Sequence, residues 1–369
     1  MGAVKSSSPR VVKAAGTKKI APFVVDCDCH TPWHSIEDLF PYLPRHYREH
    51  IQNFGSMLPN GLYTNMPNTL GYRADQKVDD DTDFARFTAQ THLDRYQIDI
   101  AVLTGQNLYN LVGSPNLDYA SALSRAYNDW TLEEWVAKDA RYRMLLTVSP
   151  NDPVQAVEEI DRLGDHSSVV GVSFPGGSRN PYGNRAYHPV YAAAERHGLT
   201  MVTHFGGEGG GVTNAPTAAG FPSYYLEMRL ARPQVAQAHA VSLVCEGVFE
   251  KFPGLRWLFI EVDTWWIPGL LWHFDADWKA LRDYTPWVRR LPSEYVREHM
   301  RFGTQPLEQP PSRGDLARMF EWMHAGETLV YASDFPHWDW DEPRAAAADI
   351  PKALRESVFG ANARALFNL

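Results

Sequence analysis

Eight short runs rich in β-branched and aromatic residues alternate with longer amphipathic segments along this 369-residue sequence, and that alternation predicts a (β/α)8 TIM barrel. Two further observations agree. The length suits one large domain, because α/β barrels routinely run this long as a single unit. Carboxylates and imidazoles close several of the runs, at the strand ends where such barrels place their chemistry.

The elements follow in order. Residues 1–21, with Ser6-Ser7-Ser8-Pro9 and Lys18-Lys19, are polar and aperiodic and read as an N-terminal arm, expected to lie against a neighbouring subunit; residues 22–369 form the barrel domain. Strands are expected at 23–28, 98–104, 142–148, 169–174, 199–204, 255–261, 300–304 and 328–333, each a short β-rich run. Helices are expected at 81–96, 116–139, 153–163, 188–197, 223–252, 265–281, 313–325 and 344–366, from the 3.6-residue spacing of their apolar positions. The third has the clearest start, with Asp152 placed as cap and Pro153 at the first position, where a missing N–H is harmless. Two segments interrupt the pattern. Residues 35–78, rich in Pro, Gly and aromatics, form a long insertion after strand one that should cover the mouth. Gly206-Gly207-Glu208-Gly209-Gly210-Gly211 follows strand five, where glycines allow close backbone approach to a ligand or simply make a flexible loop.

Composition narrows the partners. Acidic residues outnumber basic ones by 44 to 35, and the only Lys/Arg block lies near the N-terminus, which argues against nucleic acid or an anionic membrane. A small-molecule substrate is expected. Cys27, Cys29 and Cys245 are an odd number without CxxC spacing, which fits a reducing cytosol and no structural disulfide. No apolar run reaches the roughly 18 residues that a bilayer demands, and no secretory leader pattern opens the sequence, so the expected location is cytoplasmic. Twelve Trp, 17 Tyr and 17 Phe favour a homo- or hetero-oligomer.

Val24-Val25-Asp26-Cys27-Asp28-Cys29-His30 carries the strongest chemical signal. Strand alternation puts Asp26, Asp28 and His30 on one face, with Asp26 a pleat deeper, and Cys27 and Cys29 on the other, towards the helices. Two carboxylates and an imidazole projecting together suit a divalent metal, whose charge offsets their repulsion. His204 closes strand five, Glu261 strand six and Asp334 strand eight. Each also has a plainer reading: His204 as a core histidine, Glu261 and Asp263 as helix-capping carboxylates. His239 and His273 are expected to be packed or at the surface, and Tyr224, Tyr225, Asn107 and Gln305 lie where a substrate could be met.

The segment Tyr331-Ala332-Ser333-Asp334-Phe335-Pro336-His337-Trp338-Asp339, taken with these strand ends, resembles the amidohydrolase-related family of metal-dependent barrel hydrolases and decarboxylases. In that family a His-x-His pair closes strand one, a His strand five and an Asp strand eight; the resemblance assigns these positions to Asp28 and His30, to His204 and to Asp334. Two departures stand out. Asp28 replaces a histidine, and Glu261-Val262-Asp263-Thr264-Trp265-Trp266 replaces the glycine-rich motif whose histidine is expected to act as acid/base. Adding Glu261 and His337 gives three carboxylates and three imidazoles, enough for one or two ions, and mixed O/N ligation suits iron or manganese at least as well as zinc. The resemblance thus implies an O2-activating dinuclear Fe or Fe/Mn monooxygenase that hydroxylates a small organic substrate, with Glu261 and His337 in catalysis. The alternatives are a mononuclear Zn or Mn hydrolase or decarboxylase, and an inactive structural partner of an active paralogous subunit.

Overall fold

In the computed structural model, residues 19–56, 58, 78–105 and 108–369 are described. Residues 1–18 of the expected arm and 59–77 of the insertion lie outside the described residues, as does Asn107. The strands are β1 (Val25–His30), β2 (Ile100–Thr104), β3 (Tyr142–Thr147), β4 (Val169–Pro175), β5 (Thr200–His204), β6 (Trp257–Ile260), β7 (Met300–Gly303) and β8 (Leu329–Val330). All pair in parallel in sequence order. The last seam closes through irregular backbone: Cys29 bridges Phe335, the Cys27 amide donates to the Tyr331 carbonyl at 2.9 Å, and the His30 amide donates to the Phe335 carbonyl at 2.7 Å. The expected (β/α)8 barrel is the observed one.

Thirteen helices surround the strands among the described residues: α1 (Arg45–Phe54), α2 (Phe84–Thr88), α3 (Leu117–Glu134), α4 (Pro153–Leu163), α5 (His188–Arg196), α6 (Tyr225–Cys245), α7 (Val248–Lys251), α8 (Trp266–Leu281), α9 (Pro292–His299), α10 (Arg313–Trp322), α11 (Ala325–Thr328), α12 (Pro343–Asp349) and α13 (Asn362–Phe367). α4 starts as its sequence dictates, with Asp152 accepting from the Gln155 amide at 3.2 Å and Pro153 in the first turn. Three expected helices are interrupted. Residues 223–252 break at Gly247, whose φ of 69° is left-handed; 313–325 break at His324, φ 55°; 344–366 break at Pro351, which supplies no N–H to continue α12. α1 within the insertion and α9 before β7 were not expected. No helix among the described residues is long and apolar enough to cross a membrane.

Val25, Cys27, Val102, Leu145, Val170, Val202, Leu258, Ile260 and Val330, from seven of the eight strands, pack into one buried cluster with Ala363, Leu366 and Phe367 of α13. Residues from strands all round a sheet meet only in its interior, so this cluster is the barrel lumen. The Thr200 hydroxyl, at the start of β5, donates to the Leu366 carbonyl at 2.6 Å; α13 therefore plugs the end where the strands begin. The opposite end is left for chemistry.

The face assignment along β1 needs correction. Between Asp26 and Cys29 the register with β2 shifts by one residue, a bulge that places an extra residue in β1. Cys27 consequently lies in the lumen cluster with Val25, and Cys29 lies in the outer core, so the two cysteines do not share a face. Asp26 turns away from Asp28 and His30. Its carboxylate accepts from the Ser333 amide at 2.9 Å, the Ser333 hydroxyl at 2.5 Å and the Asp28 amide at 3.2 Å, and meets His92 Nε2 at 2.7 Å. One buried carboxylate thus ties β1 to the chain after β8, across the seam that lacks a regular ladder. Replacing Asp26 with Ala strands several buried donors and should lower stability by about 3 kcal/mol, measured by urea unfolding with the slope unchanged; a loss below about 1 kcal/mol would remove Asp26 from this role.

Candidate metal centre

The bulge brings Asp28 and His30 together at the mouth. His204 ends β5, and Asp334 follows β8 with left-handed backbone, φ 64°. One ligand atom from each of Asp28, His30, His204 and Asp334 lies within 4.8 Å of all the others, and all four residues are buried. Donors that each sit about 2.1 Å from a shared ion are separated by roughly 3 to 4 Å, so the set has the size of a single-ion site. His30 Nε2 is 2.9 Å from Asp334 Oδ1 and 3.5 Å from Asp28 Oδ1. His204 Nε2 is 3.6 Å from Asp28 Oδ2, beyond hydrogen-bond reach.

Local contacts orient these groups. His204 Nδ1 donates to the Phe205 carbonyl at 2.6 Å, which leaves Nε2 as the nitrogen facing the cluster. Tyr109 stacks on the same ring, centroids 4.7 Å apart and planes 11° apart. The Thr104 hydroxyl donates to Asp28 Oδ1 at 2.6 Å. Within the group of four, Asp28 Oδ2, His30 Nδ1, His204 Nε2 and Asp334 Oδ2 are buried without hydrogen-bond partners among the described residues. The two carboxylate oxygens, Asp28 Oδ2 and Asp334 Oδ2, are buried acceptors that no donor satisfies, costly alone and favourable around a cation, so the residues present fit a divalent metal. Electrostatics agrees. Burial works against charge on His204, yet the Asp28 and Glu261 carboxylates beside it hold its imidazolium up to about 9. Burial and the neighbouring His337 push His30 well below the ordinary histidine value, leaving it neutral.

The other two residues expected in the set flank it. His337 Nδ1 meets Asp334 Oδ1 at 2.5 Å, and its ring centroid is 4.1 Å from that of His30; it stands beside Asp334 and outside the compact group of four. Glu261 presents Oε2 at 3.7 Å from His204 Nε2, while its Oε1 is held by Arg232 Nη1 at 2.5 Å. Burial pushes Glu261 up to about 7, with the Asp334 charge adding to the effect. Neither Glu261 nor Asp263 caps α8; the turn that leads into it is held by Glu308, which accepts from the Thr264 and Trp265 amides at 2.6 and 2.8 Å.

Arg232 on α6 gave no sign in the sequence. Pro233 has no N–H for the Arg229 carbonyl one turn back, and Arg232 Nε donates to that carbonyl at 3.0 Å instead, which turns the guanidinium towards β6. Tyr109 and Thr104 follow or close the second strand run, so a hydroxyl at a strand end was the available signal. Of the weaker candidates, Gln305 is buried with Nε2 near the Asp339 carbonyl, at 3.3 Å, Tyr225 accepts from Arg229 at 3.3 Å, and Tyr224 is exposed. His239 is packed between the Tyr182 amide and the Gly176 carbonyl, and His273 is exposed.

A parallel (β/α)8 barrel with Asp, His, His and Asp gathered where its strands end defines a barrel with a candidate metal-binding site at its mouth. Residues 25–369 match the family model described as Amidohydrolase, and the chain belongs to that family of enzymes. The gamma-resorcylate decarboxylase of Rhodococcus jostii (strain RHA1) is 25% identical over 295 residues, spanning 75% of this chain and 85% of that protein. Among solved structures, the dihydroxybenzoic acid decarboxylase of Polaromonas sp. JS666, with bound manganese and 2-nitroresorcinol, superposes with a TM-score of 0.64 at 18% identity, covering 94% of this chain and 97% of that one. The 5-carboxyvanillate decarboxylase of Novosphingobium aromaticivorans DSM 12444, also with manganese, gives 0.66 at 17% identity over 95% and 96%. These structures share the fold.

Two outcomes test the site. His204→Ala should bind manganese at least about 100-fold more weakly by isothermal titration while keeping the wild-type circular dichroism; unchanged affinity would return His204 to the core. Glu208, in the glycine loop, is buried and pushed up to about 7, so the folded protein holds its proton over a range where the unfolded chain releases it. That stability is fully present below pH 4.5 and is lost as pH rises through 7. In metal-free protein Glu208→Gln should therefore be more stable than wild type at pH 8, by about 3 kcal/mol, and no different at pH 4.5; equal melting at pH 8 would contradict it.

Proposed function

We propose that this enzyme is a metal-dependent decarboxylase of a small hydroxylated aromatic acid, with one divalent ion held by Asp28, His30, His204 and Asp334. The observation that carries the reading is the compact group of four buried donors with unsatisfied acceptor atoms. The relatives named above support the reaction class. Manganese in two of their structures supports that metal over zinc. When bound, the ion supplies positive charge that draws in the acid's carboxylate and an adjacent oxygen.

The chain's own residues then have separable tasks. Loss of CO2 leaves an electron pair on carbon, and a proton must reach that carbon. Glu261 Oε2 faces the cluster, its carboxyl is poised near neutrality by burial, and Arg232 fixes the other oxygen, so Glu261 is the proton donor in this reading. It stands where the decarboxylating relatives are expected to carry a histidine. Asp334 takes His337 Nδ1 on one oxygen, which would leave its second oxygen, with the ring nitrogen of the neighbouring His30, to hold the ion. Tyr109 backs His204 and limits its ring rotation.

The preference for O2 activation is not carried forward. It rested on six residues serving two ions, whereas four gather closely and Glu261 commits one oxygen to Arg232; the relatives named above are decarboxylases. The silent-partner alternative loses ground as well, because all four buried donors are retained together. Manganese-loaded protein should release CO2 from 2,6-dihydroxybenzoate or a 5-carboxyvanillate-type acid under argon, and metal-free protein should not. Glu261→Gln should retain the ion and lose at least about 100-fold in kcat. Turnover that requires O2 would overturn the decarboxylase reading.

A further inference from the structure

Glu261 and Asp263 both have left-handed backbone, φ 60° and 57°, a conformation that residues with a side chain adopt only when the surroundings hold them there. The turn brings their carboxylates to one guanidinium. Arg232 Nη1 lies 2.5 Å from Glu261 Oε1 and Nη2 lies 3.5 Å from Asp263 Oδ1. Arg232 itself is almost wholly buried. Its Nε is anchored on the Arg229 carbonyl that Pro233 leaves free, and its central carbon sits 5.5 Å from the Phe205 ring centroid. A fixed positive charge therefore stands on the β6 side of the centre, with Glu261 between it and His204.

In two-metal sites the second ion lies about 3.5–4 Å from the first, and carboxylates between them need both positive charges. Here the carboxylate beside His204 and the one two residues on already share a cation. A guanidinium cannot lose its proton within a protein and grips carboxylates through a planar fork, so its charge is permanent and directional. We propose that Arg232 takes the place of a second metal ion. It neutralises Glu261 and Asp263, restricts the centre to one ion, and leaves Glu261 a single oxygen facing the reacting space. The inference rests on the reading of Asp28, His30, His204 and Asp334 as a one-ion site.

The ion count is the test. Manganese bound per chain would be measured by equilibrium dialysis and elemental analysis, together with the electron paramagnetic resonance of the bound ion, for wild type, Arg232→Met, Arg232→Lys and Arg232→Met/Glu261→Gln. Wild type, Arg232→Lys and the double variant should saturate at one ion. Arg232→Met should take two, with the spin-coupled spectrum of a manganese pair. A folded Arg232→Met that stops at one ion overturns the inference, as does wild type that binds two. Arg232→Gln, which can still hydrogen-bond Glu261, is read by the same count if the methionine variant fails to fold. Wild type that binds no manganese would instead sink the metal-centre reading itself.

Discussion

Four carboxylates, those of Asp28, Glu261, Asp263 and Asp334, are concentrated where the strands end, with two of them fully buried, and the rest of the mouth is arranged around that charge. Left alone, such a group would drive its members to protonate or the mouth to open, because charge is expensive where water is scarce. The protein answers on two sides. Towards β1 and β5 the carboxylates beside His204 favour its charged imidazole in the metal-free protein, next to the space an ion would fill; towards β6 the permanent cation of Arg232 sits against Glu261 and Asp263. The left-handed turns at Glu261, Asp263 and Asp334 follow from the same demand. Each bends the chain off its strand so that a carboxylate reaches its counter-charge.

The packing around His204 shows how a catalytic rim can be rigid although a glycine-rich loop adjoins it. Tyr109 lies flat on the His204 ring, and the backbone after β5 must pass over Tyr109. A Cβ at Gly206 would come within 2.9 Å of the Tyr109 ring, and one at Gly207 within 2.7 Å of its carbonyl. Both glycines also have positive φ. These glycines therefore serve close approach between two loops, and their flexibility in isolation says little about the folded mouth.

Most of the barrel was legible in the sequence because its signals are local. A strand in a parallel sheet is a short apolar run, and the polar residue that closes it marks the rim; Asp28, His30, His204 and Asp334 all carry that signature. What was not legible depends on distant chain. The bulge that separates Asp26 from Asp28 is fixed by Ser333 and His92, and strict alternation read without those partners puts all three acidic and basic groups on one face. Arg232 sits mid-helix, where an arginine ordinarily signifies solvent, and only the tertiary contact with Glu261 gives it meaning. The helices after β5 and β8 were drawn too long, since a single left-handed residue or proline stops a helix whose apolar spacing continues beyond it.

The plug at the closed end of the barrel ties the two extremes of the sequence together. α13 fills the lumen beneath Val25, Ile100 and Val170, so the interior that the first strand helps to build is not sealed until the last helix arrives. On a ribosome the first seven strands would emerge with an unfilled apolar channel and with β1 still missing its partner across the seam. Contacts of such long sequence separation slow folding and prolong the exposure of sticky surface. A chain of this design has reason to depend on chaperones during synthesis, and it should tolerate additions at the rim loops far better than any change that displaces Leu366 or Phe367.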